Sequence, residues 1–498
     1  MSESAQPSGG FARAFTSLSL ASAVSMAANL VRGKLAALFL GPAGVGIFNQ
    51  LSVMWNLFQT GGSLGAFNGL VQHGTEATVA NEEAALHRLA STWWILLTVF
   101  SCLLAAVGAL ASAVISNWLL GDHGAHAGLV ALMLVSIPFA VTGQVYRALL
   151  SAGRLVPQLV RAQIISDVGG AIVFAALVPL LGLPGAILGF AAIHLIAYLT
   201  MALSVRRKLG AAYVRPRRAD FRWSVVRSNI GFGASGLALI AFSNLSVAIV
   251  SRLVIDELGI EANGIFSNAW RVASVYLGAV TTTAVSYYLP TLTRAESDAR
   301  MSADVNSALR FYLYVLPLLM AGIMTAGEPI AWLILSAKFI PIAPLLLLFV
   351  PAELMRILAE TSAMALLAKR HLRPFTCMFA FLYGGFVVGA AIALPVFGLI
   401  GAAAAYGLFA TLTAVLAFAA CRSYFPLALE RRTLSGLAGA VGLLGVTMAA
   451  GFIFPFGAAR LIVVIAASGA WLAWTLRDDD AREMMAKLKL GGRPPTAG

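Results

Sequence analysis

Residues 32–69 read RGKLAALFLGPAGVGIFNQLSVMWNLFQTGGSLGAFNG. Lys34 stands in the body of an apolar helix, Gly41-Pro42-Ala43-Gly44 makes a turn, and a second apolar helix follows, carrying Gly46, Gln50 and Asn68. An amine within so apolar a run is costly unless it snorkels to an interface or meets a partner or ligand. Lys34 lies seven residues before Gly41, about 10 Å along a helix, so it marks a candidate binding position.

A degenerate copy of this stretch returns later. Leu40-Gly41 followed by Gly46-Ile47-Phe48 matches Leu258-Gly259 followed by Gly264-Ile265-Phe266, with one constant separation between matched residues. The same offset sets Lys34 against Arg252 and Gln50 against Asn268. A second match sets Gly182-Leu-Pro-Gly185-Ala against Gly398-Leu-Ile-Gly401-Ala, at nearly the same separation. A third sets Arg154 and Pro157 against Arg370 and Pro374. The chain therefore reads as two copies of one unit.

The 498 residues are 60% hydrophobic and 11% charged, with a mean hydropathy of +0.87. That composition describes a chain dissolved in lipid. Apolar helices are predicted over about 14–40, 45–72, 89–116, 126–150, 157–181, 184–205, 226–255, 263–291, 306–335, 342–368, 374–394, 399–421, 433–453 and 458–476. The fold class is all-α and polytopic, with about fourteen transmembrane helices. A head over 1–13 precedes an N-lobe of six helices over 14–205. A basic linker over 206–225 leads to a C-lobe of six helices over 226–421, two extra helices over 422–476 and a tail over 477–498. An even number of helices per copy makes the repeat parallel, with a pseudo-two-fold axis along the membrane normal. Such a pair of lobes leaves a cleft that rocking would open to each side in turn.

The net charge of +13 is concentrated in loops. Arg206, Arg207, Lys208, Arg215, Arg217, Arg218, Arg222 and Arg227 face the single acid Asp220 in one connection. Loop charge of this kind marks the cytoplasmic side and predicts both termini inside. The basic residues lack the interleaved aromatics of a nucleic-acid module, so no nucleic-acid partner is expected. The three cysteines share no spacing pattern, and no metal or nucleophile constellation is evident. No cofactor is expected.

Ionisable residues inside the predicted helices are the candidate site. Lys34, Arg252 and Arg271, with Arg356 and Arg147, are the cations that would hold an anion through charge-assisted hydrogen bonds. Arg32 lies about 200° round the helix from Lys34 and points elsewhere. Glu353, Arg356 and Glu360 share a face at i, i+3 and i+7, either as a neutralising ladder or as an ion-responsive element. Asp167, one turn after Gln163, is the best isolated carboxylate for ion coupling, and His194 is expected to pack. Gly41, Pro42, Gly44, Gly46, Gln50, Asn68 and Asn268 are candidate cavity or hinge positions.

The block Lys34-x6-Gly41-Pro42-Ala43-Gly44-Val45-Gly46, followed by Phe67-Asn68-Gly69, resembles the start of the Wzx-type flippases. These are the O-antigen and enterobacterial-common-antigen translocases of the multidrug/oligosaccharidyl-lipid/polysaccharide (MOP) exporter superfamily. The motif covers only the opening of the chain, as far as the second apolar helix, and the six-plus-six repeat extends the likeness over the rest. The second copy, Gly259-Ile-Glu-Ala-Asn-Gly264, lacks the proline, so the lobes are not equivalent.

The resemblance implies a MATE-like fold in a bacterial inner membrane. It implies translocation of an undecaprenyl-pyrophosphate-linked oligosaccharide, not an enzyme activity, driven by a proton or sodium gradient. A polysaccharide polymerase and a chain-length regulator are candidate partners beside the bilayer. The alternatives are a peptidoglycan-precursor flippase, a multidrug/cation antiporter, which would want an acidic cavity, and a glycan polymerase or ligase, which would want a large outer loop.

Overall fold

The structure is a computed structural model that describes residues 8–229, 234–275, 288, 292–293 and 297–477. The head residues 1–7, the tail from 478, Arg294 and most of the expected helix 263–291 beyond Val275 lie outside the described residues.

Every regular element among the described residues is helical. Helix α1 spans Ser8–Phe39, α2 Gly41–Ser63, α3 Ala66–Val79, α4 Glu83–Leu110 and α5 Ser112–Leu120. Then come α6 (Ala127–Leu134), α7 (Ile137–Ala152), α8 (Val156–Leu181) and α9 (Leu183–Lys208). After the basic connection follow α10 (Trp223–Asn229), α11 (Ala234–Leu258) and α12 (Ile260–Trp270). The rest is α13 (Asp298–Thr325), α14 (Gly327–Ile330), α15 (Ile342–Ala368), α16 (Leu372–Tyr424), α17 (Arg431–Ile453) and α18 (Ala458–Thr475).

Among the described residues, nine helices are long and apolar enough to cross a membrane. Leu372–Tyr424, at 53 residues, takes in two of the expected fourteen, because Gly398 leaves helical geometry inside it. Large apolar side chains cover the outside of these helices, as with Leu110 at 89% exposure and Leu180 at 78%. An outer surface of that kind, on helices long enough to span a bilayer, suits contact with lipid.

Among the described residues four expected helices are broken, one of them 306–335, which divides at Ala326 between α13 and α14. The segment 45–72 divides where Leu64 and Gly65 both take positive φ (50° and 67°), so α2 ends and α3 begins anew. The segment 89–116 divides at Ala111. The segment 126–150 divides at Val135-Ser136, ahead of Pro138 in the first turn of α7. Proline lacks the donor a continuing helix needs, and glycine takes φ > 0 without strain. Apolar periodicity runs across all four breaks, which is why it conceals them.

The repeat is visible in the backbone. Gly182 adopts φ 62°, ψ −130°, and Gly398 adopts φ 59°, ψ −147°. A Cβ on Gly185 would lie 2.2 Å from the Leu177 carbonyl oxygen, and one on Gly401 would lie 2.4 Å from that of Ala393. Each match therefore encodes the same sharp reversal between two closely packed helices.

The chain forms two compact units, Met1–Gly264 with Leu333–Ser336, and Ile265–Trp332 with Ala337–Gly498. In the first, α1 packs on α8, α8 on α9, and α7 on α3, α4 and α9. The basic connection folds back on α4: His87 Nε2 lies 2.9 Å from the Ala212 carbonyl oxygen, and the Arg222 amide donates to Thr92 Oγ1 at 3.1 Å. In the second unit α15 is the central helix, buried along most of its length between α13 and α16.

Candidate functional site

In the first unit Lys34 is half-buried on α1. Arg32 turns to a different partner, donating from Nη2 to Asn29 Oδ1 at 2.6 Å. On α8, Asp167 is 5% exposed and accepts from Gln163 Nε2 at 2.8 Å and from the Ser25 hydroxyl of α1. A buried carboxylate needs such donors, and the one from Ser25 couples α1, the helix of Lys34, to α8. His194 packs as expected: its ring stacks on Trp55 with centroids 4.2 Å apart and meets Phe190 edge-on at 4.9 Å. Arg147 is exposed, with its guanidinium 5.6 Å from the centre of the Phe67 ring. Asn68 beside that ring is exposed.

The turn residues hold the geometry that their types require. Gly41 has φ +63°, and Pro42 sits in the first turn of α2. A Cβ on Gly44 would meet only the Leu40 side chain, at 2.8 Å. Gln50 is 1% exposed, and its Nε2 donates to the Ala248 oxygen at 2.9 Å and the Leu119 oxygen at 3.3 Å. Arg252 meets Asp256 as a two-pronged pair, Nε to Oδ2 and Nη2 to Oδ1, both at 2.8 Å. Its Nη1 donates to the Asn117 carbonyl oxygen at 2.8 Å.

In the second unit the spacing of α15 is realised as hydrogen bonds. Arg356 Nε donates to Glu353 Oε2 and Nη1 to Glu360 Oε2, both at 2.8 Å. Glu353 is fully buried, and its other oxygen accepts from Tyr406 Oη of α16 at 2.7 Å. Two carboxylates thus bracket one guanidinium. Around them stand Trp270 and Phe386, stacked at 5.6 Å, with Tyr406 4.7 Å from Trp270 and Phe349 5.7 Å from it. Arg271, half-buried, opens a π-helical turn over Arg271–Val275. Widened turns of this sort are frequent at functional sites. Asn268 is 2% exposed on α12.

Ser25, Asn117, Tyr406 and Asn263 did not stand out in the sequence. The repeat holds a signal for one of them: Phe190 and Tyr406 are separated by the same interval as the matched glycines Gly182 and Gly398. In the first unit Phe190 lies 6.0 Å from Phe48 and 5.0 Å from Trp55. Aromatic residues recur at matching depths of both copies, and in the second copy the ring carries a hydroxyl that reaches Glu353. Arg460 is a further omission: it is 1% exposed, donates from Nη2 to the Met324 oxygen at 2.5 Å and lies 3.5 Å from Glu328. It pins α18 to the end of α13.

A multi-pass, all-α membrane chain of this kind, repeated in sequence and set with ionisable residues inside its helices, defines a transporter of MATE-like fold. Solved structures agree on the fold. An inward-facing MATE-family multidrug transporter of the MOP superfamily aligns over 85% of this chain and 99% of its own, at 15% identity and a TM-score of 0.67. The lipid II flippase MurJ aligns over 92% and 98%, at 15% identity and 0.66.

The chain belongs to the family described as "Polysaccharide biosynthesis protein", which matches residues 35–344. It is similar to the lipid III flippase of Escherichia coli (strain K12), 26% identical over 392 residues, or 77% of this chain and 91% of the relative. These likenesses agree with the resemblance to Wzx-type flippases drawn from the Lys34-to-Gly69 block.

Proposed function

We propose that the protein is a flippase that moves an undecaprenyl-pyrophosphate-linked oligosaccharide repeat unit across a bacterial inner membrane by alternating access. The sugar feeds O-antigen, enterobacterial common antigen or exopolysaccharide synthesis. The observation that carries this reading is the 392-residue likeness to a lipid III flippase, at family level and over nearly the whole relative. Cations seated in apolar helices support it, because an anionic head on a lipid tail needs both.

Lys34 and Arg271 attract the pyrophosphate, the first from the body of α1 and the second from the π turn after α12. Arg147, over the Phe67 ring, contributes at the end of α7. Arg356 is bracketed by Glu353 and Glu360, so its contribution to an anion site is the smallest of the set. Asp167 carries the ion coupling, to a proton or sodium gradient, because its donor Ser25 ties any change of its charge to α1. The protein is a transporter rather than an enzyme. Both termini are cytoplasmic, and a polymerase and a chain-length regulator act on its product.

A multidrug/cation antiporter is the second reading, favoured by the two carboxylates on α15. The test is polymer export in a strain that depends on this gene. Lys34→Ala, inserted at normal level, abolishes export and Lys34→Arg retains part of it; normal export by Lys34→Ala would remove the assignment.

A further inference from the structure

Helix α9, Leu183–Lys208, has 26 residues and is about 39 Å long, against a hydrocarbon core of about 30 Å. Its last turn, Arg206-Arg207-Lys208, therefore reaches headgroup depth. The chain does not leave the membrane surface there. It folds back along the start of α4 through two short 3-10 turns, Ala211–Val214 and Arg218–Asp220, and enters α10.

Side chains of α4 fix that return. His87 Nε2 lies 2.9 Å from the Ala212 oxygen, and its ring centre 5.4 Å from that of Tyr213. Its Nδ1 lies 3.0 Å from Asp220 Oδ2. Thr92 Oγ1 donates to the Asp220 main-chain oxygen at 3.3 Å and accepts from the Arg222 amide at 3.1 Å. His87 and Thr92 fall within about the first three turns of α4. The connection is thus a strap pinned at headgroup depth, and the fully buried Val226 of α10 seats its far end.

The strap sorts its charges. Asp220, its single acid, turns inward onto His87 and is half-buried, whereas all eight cations of residues 206–227 are exposed. Arg222 directs Nη1 to the Ala219 and Phe221 oxygens of the strap itself. Arg215, Arg217 and Arg218 enter no ion pair among the described residues. The start of α4 beneath adds Glu82 and Glu83 but also Arg88, all exposed, so a large positive excess remains. Beside these cations Trp223, which opens α10, is 62% exposed. An indole is poorly placed in open water and well placed at a bilayer interface. An acidic protein would account for the cations alone. Headgroup depth and the open indole together call for lipid.

We propose that residues 206–227 form a docking strap for anionic phospholipid headgroups, which anchors the first unit to its leaflet. Arg215, Arg217 and Arg218 meet the phosphates, and Trp223 enters the interface beside them. Attraction to an anionic bilayer surface grows with each cation and dies away within a Debye length, so cations pinned at that depth count fully. The proposal does not depend on the transport reading: a chain moving a different cargo would hold its lipid in the same way.

The test uses the full-length protein in phosphatidylcholine vesicles that carry a fixed fraction of one brominated lipid, either phosphatidylglycerol or phosphatidylcholine. Bromine quenches a neighbouring indole. The chain has nine tryptophans, so the Trp223 signal is taken as the difference between wild type and Trp223→Phe. Brominated phosphatidylglycerol is expected to occupy the site about fivefold more readily than brominated phosphatidylcholine, the factor for one cation at an anionic surface. About 1 M salt, where the Debye length is about 3 Å, should cancel that preference. So should Arg215→Gln/Arg217→Gln/Arg218→Gln, which changes exposed side chains and leaves His87 and Thr92 in place; an unchanged melting temperature in detergent checks that the variant is folded.

Equal quenching by the two lipids at low salt, or a preference that the triple variant keeps, would overturn the strap. So would a Trp223 signal that ignores both lipids and responds to soluble poly-glutamate, which would give the surface to an acidic protein.

Discussion

Gly46 and Gly264, the residues that the internal repeat equates, lie against one another: the Cβ position of Gly46 is 3.0 Å from the Gly264 amide nitrogen. Sequence equivalence has become physical contact, and it fixes how closely α2 and α12 pack.

Alanine at either glycine should therefore be costly. Its methyl group would meet main chain, which cannot swing aside. Overpacking of this sort costs about 1–3 kcal/mol. Gly46→Ala and Gly264→Ala are expected to lower the melting temperature in detergent. Gly61→Ala, with no atom within 4 Å of its Cβ position, should leave it unchanged or raise it. Equal melting for all three would mean that the close approach does not matter.

The α15 cluster predicts an ordered series. Arg356→Met leaves two carboxylates facing each other in the interior, a loss of about 3–5 kcal/mol. Tyr406→Phe removes one hydrogen bond to Glu353 and costs about 1 kcal/mol. Expression level and thermal unfolding should rank the variants in that order, with Arg356→Met failing to accumulate.

Asp122 supplies a pH signature outside the spanning helices. Burial works against its charged form, but the Ser116 hydroxyl, His126 and the amides of Gly124 and His126 outweigh it and hold the carboxyl down to about 2. Its folded value lies below the unfolded 3.8, so its stabilisation is complete above about pH 4 and is lost as the pH falls towards 2. Asp122→Asn should flatten melting temperature against pH across that window. A wild-type curve without a fall between pH 4 and pH 2 would contradict the assignment.

Much of this was legible beforehand, and the reasons it stopped where it did are physical. Composition fixed the solvent, and paired glycines fixed the repeat, because Gly182 and Gly398 hold a backbone that few other residues adopt. Glu353, Arg356 and Glu360 could be joined on paper because a helix makes i+3 and i+4 neighbours. By the same rule Asp256 was readable as the partner of Arg252, four residues on. Ser25 and Asp167, far apart in the chain, meet only because α1 packs on α8, and Tyr406 reaches Glu353 only through the packing of α16 on α15. Partners of that kind depend on tertiary contacts, which periodicity does not encode.

Asp167 gives a prediction about driving force. Asp167→Asn keeps the shape and loses the charge that Ser25 and Gln163 donate to. Flipping by this variant should persist without a gradient and lose its acceleration when a proton or sodium gradient is imposed. Undiminished acceleration would move the coupling site elsewhere, with Glu353 and Glu360 next in line.

The most direct measurement is flipping itself. Purified protein in proteoliposomes would be given an undecaprenyl-pyrophosphate-linked oligosaccharide, and protection of the sugar from an external reagent followed with and without a pH or sodium gradient. The account predicts gradient-dependent movement that Lys34→Ala slows roughly tenfold or more, the loss of one charge-assisted hydrogen bond to the pyrophosphate. No movement of the lipid-linked sugar, together with expulsion of a cationic dye by the same vesicles, would contradict it.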